Sequence, residues 1–316
     1  MTPLFDRVLV TGGAGFVGSQ LVRRLLPISE HVTVIDDLST GKRSALPPAD
    51  NLRLIEQSYI DESLLDDVLP TVDTVFHLAC RNILMSAHDM DDDFHVNLYG
   101  GYTLLKKVHE RCDKLKRFVY TSTASVYGNA PVLPTPESYY HTALPYSASK
   151  LSMEHYCQVF NRMRGLPVSV LRLSNVYGPG QVTTNPYCGV VSKFLEAVDE
   201  HRPIPIHGDG EQTRDFTFIE DALNAIVSAA KHPDAIGRVF NVGTGRETSV
   251  NKLAAMIGAL SGRADYPVVY VEKRPIDVVH RRCLDATHIR QTLGWHAAVT
   301  LEDGLRRTYE WLHEEG

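Results

Sequence analysis

Thr11-Gly12-Gly13-Ala14-Gly15-Phe16-Val17-Gly18 lies between a short apolar run, Arg7–Val10, and an amphipathic stretch that begins at Phe16. The apolar run reads as a strand over Arg7–Thr11 and the following stretch as a helix over Phe16–Leu26. Glycines 12, 15 and 18 then have separate physical tasks: a tight turn, close approach of backbone to a bound group, and close packing of helix on strand. A helix that opens this way presents unpaired N–H groups, which attract the oxygens of a pyrophosphate. A glycine cluster alone says little. Its place between strand and helix makes it a dinucleotide-binding turn.

The next apolar run, His31–Ile35, ends in Asp36 and Asp37. A carboxylate at that position accepts hydrogen bonds from a ribose diol and repels a 2′-phosphate. No arginine occupies the glycine loop, so NAD is expected rather than NADP, although Arg43 lies nearby in sequence.

Farther along, β-branched runs at Leu52–Glu56, Thr74–Leu78, Arg117–Thr121 and Val168–Leu171 alternate with helical patterns, including Phe94–Arg111 and Tyr146–Arg164. That rhythm predicts an α/β fold: a Rossmann-type, doubly wound parallel sheet with right-handed crossovers. After Leu173 the rhythm loosens. Turn-rich stretches at Tyr177–Pro186, Gly208–Gln212 and Lys273–Asp277 separate helical patterns such as Ile219–Lys231 and Leu301–Leu312. The division expected is a dinucleotide domain over 1–173, with returning segments near 215–245 including a strand at Arg238–Val242, and a smaller discontinuous lobe over 174–316.

Bulk properties narrow the function. The 316 residues are 43% hydrophobic and 22% charged, which suits a folded globular chain. A formal charge of −6 argues against a broad nucleic-acid surface. No apolar run reaches membrane-spanning length, and no signal peptide is legible, so a cytoplasmic location is expected. Cys80, Cys112, Cys157, Cys188 and Cys283 are scattered and odd in number, which fits reduced thiols rather than disulfides or a zinc site. The acidic run Asp89–Asp93 reads as N-terminal helix capping, not as a metal site.

Tyr146 and Lys150, four residues apart near the start of a helical pattern, project from one face. A tyrosine near its reference pKa of about 10 is a poor base; lowering that value by ~3 is worth ~4 kcal/mol. Lys150 and a positive nicotinamide are expected to favour the phenolate, letting Tyr146 take a hydroxyl proton while hydride leaves the same carbon. Upstream, Tyr120-Thr121-Ser122-Thr123-Ala124-Ser125-Val126-Tyr127-Gly128 leaves the fifth strand at its C-terminal end, where open α/β sheets place ligands. Its hydroxyls are suited to holding the reacting oxygen.

Together these segments resemble the extended short-chain dehydrogenase/reductase family of nucleotide-sugar epimerases and dehydratases. The similarity runs nearly end to end: TGGAGFVG at 11–18, VIDDLSTG at 34–41, VFHLAC at 75–80, Asn97, TSTASVYG at 121–128 and YSASK at 146–150. It continues in LRLSNVYGPGQ at 171–181, GDGEQTRDF at 208–216, NVGTG at 241–245, RPID at 274–277 and LGW at 293–295.

The resemblance implies that Thr123, Tyr146 and Lys150 are catalytic. It assigns cofactor contacts to Gly12, Gly15, Phe16 and Val17 in the first turn, and to Asp36, Asp37, Ser39, Thr40 and Gly41 in the second. Further contacts fall to Leu78, Ala79 and Cys80, and to Asn97, Thr121, Tyr146 and Lys150. A Gly-Asp-Ile turn common in relatives is replaced here by Gln57-Ser58-Tyr59-Ile60, so adenine contacts are expected from Ser58 and Tyr59. On the substrate side the resemblance implies Thr123, Asn175, Val190 and His207, with Arg214 and Arg274 on the diphosphate and Asp277 on the nucleoside ribose. Guanidinium forks suit phosphate oxygens. Arg281 and Arg282 receive no role.

Two departures bear on the reaction. Arg81-Asn82-Ile83-Leu84-Met85-Ser86 stands where relatives have small polar residues beside the sugar. Ile83, Leu84 and Met85 either pack in the core or line a more apolar sugar pocket. Dehydratases of this family place an Asp-Glu pair directly after the catalytic threonine, to serve as the extra acid and base of elimination; here those positions hold Ala124 and Ser125. The expected reaction is NAD-dependent epimerisation of a nucleotide-sugar, UDP-linked by resemblance, at C4. A dehydratase, decarboxylase or reductase on the same scaffold is the alternative, and a dinucleotide sensor a more remote one. Relatives pair through the helices bearing Asn97 and Tyr146, so a homodimer is expected; Leu98, Tyr102, Leu105, Met153 and Tyr156 are either its contacts or intramolecular core.

Overall fold

The computed structural model describes residues 3–181, 189–263 and 265–314. Cys188 and the part of the Tyr177–Pro186 turn beyond Gln181 lie outside the described residues. Strand β1 (Phe5–Thr11) is buried over its last four residues, the continuous burial of a strand covered on both faces. Alternate side chains serve different cores. Val8 and Val10 join the cluster that includes Leu21 and Leu25 of helix α1 (Phe16–Leu25), while Leu9 points to the opposite cluster.

Parallel to β1 run β2 (Ser29–Ile35) and β3 (Leu52–Ile55) on one side, and β4 (Thr74–His77), β5 (Arg117–Thr123) and β6 (Val168–Leu173) on the other. A seventh strand, Val239–Val242, returns from late in the chain to pair in parallel with β6. The order is thus Val239–Val242, β6, β5, β4, β1, β2, β3. It reverses beside β1, so the loops after β1 and β4 diverge and leave a crevice at the carboxyl ends. The Rossmann-type α/β reading is confirmed.

The boundaries shift in informative ways. Strand β5 runs on to Thr123 because Ser122 and Thr123 pair with Arg172 and Leu173 of β6. The pattern at 94–111 is not one α-helix: Phe94–Gly100 is π-helical and only Gly101–Arg111 is α-helical. Periodicity could not reveal this, because the apolar face survives a one-residue change of hydrogen-bond register. Pro145 opens the long helix Pro145–Arg164, where its missing N–H costs nothing, and Gly165 closes it at φ 71°. At the acidic run, the Asp89 carboxylate accepts from the Asp92 N–H, which is a capping contact.

Of the five residues offered as dimer contacts or core, Leu105 and Met153 are fully buried within the chain. Leu98 packs partly on the same cluster, whereas Tyr102 and Tyr156 are exposed and meet edge to face at 5.1 Å. Among the described residues no helix is long and apolar enough to cross a membrane.

Candidate active site

The crevice is a cavity of about 800 Å³. Its floor is the glycine turn. Gly12 has φ +72°, and a Cβ there would sit 2.6 Å from the Ala79 amide nitrogen; one on Gly18 would run into the Gly12 carbonyl. Gly15 differs: a Cβ would meet only the Gly12 oxygen, at 3.4 Å, so its free face is open to the cavity. Gly15 is also the N-cap of α1 and supplies no side-chain cap. The first-turn N–H groups therefore point at whatever fills the cradle, and a pyrophosphate fits that donor set.

Phe16 and Val17 continue this wall, and Asp36, Asp37, Ser39 and Thr40 form the β2 side of the cavity. Asp36 also organises the turn itself: its carboxylate accepts from the Ala14 N–H at 2.8 Å and the Leu38 N–H at 2.9 Å. Burial still pushes its carboxyl above the usual range. Gly41 does not line the cavity. It packs on Ala14, where a Cβ would come within 2.8 Å, so it supports the glycine loop from the side of the β2 turn. Ser58 and Tyr59 both border the cavity, but the buried Tyr59 hydroxyl donates to the Val96 carbonyl.

Leu78, Ala79 and Cys80 leave β4 along the opposite wall. Asn97, expected beside the cofactor, is buried behind them. Its amide oxygen accepts from the Arg81 N–H at 2.7 Å, and its nitrogen donates to the Arg81 carbonyl and to Asp93. These bonds tie the loop after Cys80 to the π-helical segment that carries Asn97.

Sequence reasoning gave Arg81 no role at this wall. Its guanidinium reaches Asp37 at 3.1 Å, the Ser39 hydroxyl at 2.8 Å and Asp92 at 2.7 Å, joining the two sides of the cavity. Burial works to raise the Asp37 carboxyl, but hydrogen bonds from Ser39 and the charge of Arg81 outweigh it and hold Asp37 below the usual range.

Thr121, Thr123, Tyr146 and Lys150 converge at the β5 end. Thr123 ends β5 and accepts from the Ser125 N–H at 3.1 Å, fixing its rotamer; Thr123 and Cys80 both neighbour the Tyr146 hydroxyl and influence its ionisation. Lys150 is buried, its Nζ 4.4 Å from the centre of the Tyr120 ring. In the protein alone, burial drives the Tyr146 hydroxyl well above its ordinary pKa, with Thr123 acting in the opposite direction. Burial lowers Lys150 itself, because the same dry surroundings penalise either charge.

Behind these groups lies a network that motif matching did not single out. Glu154, one turn beyond Lys150 on the same helix face, receives Arg172 at 2.7 Å and the Ser122 hydroxyl. Arg172 also donates to Tyr127 at 3.0 Å and to the Glu137 carbonyl at 2.8 Å, while Tyr127 donates to Asn241 on the seventh strand. The i, i+4, i+8 spacing of Tyr146, Lys150 and Glu154 was the available signal.

Apart from Thr123, the expected substrate residues do not line this cavity. Asn175 lies in the short strand Asn175–Tyr177, Val190 begins the helix Val190–Asp199, and His207 ends the strand Ile204–His207, with Nδ1 2.9 Å from the Glu272 carbonyl. Arg214, Arg274, Asp277 and His207 form one charged group. Within it Arg274 grips Asp277 through two 2.8 Å hydrogen bonds, and among the described residues the Arg214 side chain donates to the Thr213 carbonyl alone. Ile83, Leu84 and Met85 are half-buried on a short helix, Ile83–His88, capped by Asn82.

A parallel sheet with a glycine-turn crevice and a Thr–Tyr–Lys group at its edge defines a dinucleotide-dependent enzyme of the extended short-chain dehydrogenase/reductase type. The model of the NAD dependent epimerase/dehydratase family matches residues 8–243, and the chain belongs to that family. It is similar to a UDP-glucose 4-epimerase of Mycolicibacterium smegmatis, 36% identical over 98% of this chain and 99% of that one. Among solved structures, a UDP-glucose 4-epimerase of Thermotoga maritima, determined with UDP-glucose, superposes with a TM-score of 0.91 at 37% identity, covering 98% and 99% of the two chains. A dTDP-glucose 4,6-dehydratase of Streptomyces venezuelae, with NAD bound, reaches 0.90 at 30% identity, covering 98% and 97%. The cofactor is NAD, and the chemistry is that of nucleotide-sugar epimerases and dehydratases.

The Arg81 bridge spans the NAD cleft, and cutting it should loosen the cofactor. Arg81→Ala is expected to speed NAD dissociation roughly fivefold, the worth of one half-screened charged contact. Dinucleotide retained after rapid desalting measures it; unchanged retention would make the bridge a purely internal tie.

Proposed function

We propose that this protein is a UDP-sugar 4-epimerase. The observation that carries the reading concerns carboxylates. Among the described residues lining the cavity, the only acidic ones are Asp36 and Asp37, which follow β2. They stand three strand spacings from Thr123, roughly 14 Å. Ala124 and Ser125, next to Thr123, are buried and supply no acid, while Glu154 is held by Arg172. Elimination or decarboxylation calls for acid–base groups beyond a single proton acceptor. Hydride transfer at one carbon needs only Thr123, Tyr146 and Lys150.

In this reading Thr123 donates a hydrogen bond to the C4 oxygen and Tyr146 removes its proton. NAD, when bound, supplies the hydride acceptor and returns the hydride afterwards. The resulting 4-ketone turns over, Tyr146 gives its proton back to the C4 oxygen, and the configuration is inverted. Arg214 and Arg274 hold the diphosphate and Asp277 the nucleoside ribose, so the sugar turns while its handle stays fixed; the lobe from 174 onward carries that handle. The exposed Tyr99, Tyr102, Tyr156 and Val159, on the π/α segment and the Pro145–Arg164 helix, support a homodimer across that face.

The test is NMR of UDP-sugars incubated with enzyme and NAD in D2O. Inversion at C4 without solvent deuterium is expected. A keto or decarboxylated product carrying deuterium would replace the epimerase reading with the dehydratase or decarboxylase one.

A further inference from the structure

Two adjacent arginines, Arg281 and Arg282, meet opposite fates. Arg281 is exposed and paired with Glu247 through contacts of 2.9 and 2.5 Å. Arg282 turns the other way, as successive residues of an extended segment do. Its Nε is sealed from solvent and has no hydrogen-bond partner, and no carboxylate among the described residues forms an ion pair with it. A sealed Nε left without an acceptor is costly, unless a ligand supplies one.

The backbone fixes where Arg282 looks. On one side of it the His280 carbonyl accepts from the Thr213 N–H at 2.8 Å; on the other, the Leu284 N–H donates to Asp215 at 3.2 Å. The segment therefore lies along 213–215 and brings Arg282 opposite Arg214. Leu284 packs with Ala124 and Leu151, the residues that follow Thr123 and Lys150. Charge effects give the same order. Burial draws Arg282 down to about 9, Arg214 adds to that, and Tyr146 opposes it. Arg214 in turn responds to Asp277 and Arg274. Arg282 thus lies beside Arg214 on a segment packed against the residues after Thr123 and Lys150, and in the epimerase reading the sugar ring spans that same interval.

We propose that Arg282 is a specificity-determining residue that binds a carboxylate on the sugar, making a UDP-linked uronate the substrate. This rests on the epimerase reading above. A C6 carboxylate is attached to C5, beside the reacting C4, so a group near Tyr146 is within its reach. The forked donors of Arg282 match its two oxygens, and a neutral hydroxymethyl group offers no charge to offset the two arginines.

The experiment compares kcat/KM for UDP-glucuronate and UDP-galacturonate with that for UDP-glucose and UDP-galactose, in the native protein and in Arg282→Leu and Arg282→Lys. The native enzyme is expected to favour uronates by about 100-fold, the discrimination open to one desolvated charged contact. Arg282→Leu should collapse that ratio to near unity, and Arg282→Lys should keep part of it. The lysine variant, which keeps the charge, secures the test should the leucine protein fold poorly. Equal or better use of neutral sugars by the native protein overturns the proposal while leaving the epimerase intact. A variant that loses both substrate classes in proportion overturns it too, assigning Arg282 to the diphosphate. Absence of turnover with every UDP-sugar overturns the parent reading and this inference with it.

Discussion

Tyr146→Phe is expected to lower kcat for sugar turnover by about 10³-fold, roughly 4 kcal/mol of barrier. The substitution keeps the ring, so the packing at the start of the Pro145–Arg164 helix is preserved. It removes the one oxygen assigned to take the C4 proton, and leaves its neighbours Thr123 and Cys80 in place. Burial holds this hydroxyl in its neutral form in the protein alone, and Lys150 is itself pulled down by burial. In the epimerase reading, a positive nicotinamide brought by NAD would favour the phenolate of Tyr146, while Thr123 holds the C4 oxygen. NAD retention and the unfolding midpoint should stay near those of the native protein, separating a chemical loss from a structural one. A loss below tenfold would transfer the proton to Thr123 or Cys80 and end the mechanism as written.

Glu154→Ala should destabilise the fold by about 3–5 kcal/mol, the cost of leaving a buried charge unpaired. Glu154 and Arg172 side chains are 2% and 5% exposed, so water cannot replace the missing partner. Removing the carboxylate also frees Ser122, the neighbour of Thr123, and loosens Arg172 against Tyr127. Urea unfolding measures the loss, and a fall in kcat should accompany it under fully folded conditions. Replacing both partners, Glu154→Leu with Arg172→Met, is expected to recover most of the stability, because an apolar pair of similar volume leaves no stranded charge. It should not recover kcat, since Ser122 still lacks its acceptor. Recovery of both would reduce the network to packing.

Much of this protein was legible in its residues because the relevant physics is local. Strands buried on both faces read as apolar runs, and the glycine turn, the carboxylates after β2 and the Tyr–Lys spacing each sit within a few residues of one another. Asn97 and Gly41 show where that reading stops. Both were expected beside the cofactor, and the structure adds that Asn97 binds the Arg81 backbone and Gly41 packs on Ala14. A motif marks a residue as needed in one place without saying whether it touches the ligand or the wall behind it.

The parallel sheet and the NAD cofactor could be read from the residues alone, since each follows from backbone conformation or from neighbours along the chain. The rest needed the packed fold. It turned Leu105 and Met153 into core, closed Arg81 across the cavity and joined Glu154 to Arg172. It also sent Arg281 to Glu247 while leaving Arg282 inward and unpaired. These outcomes depend on burial and on partners far away in the chain. A charged side chain carries the same letter whether water, a carboxylate or a substrate completes it; packing alone selects which.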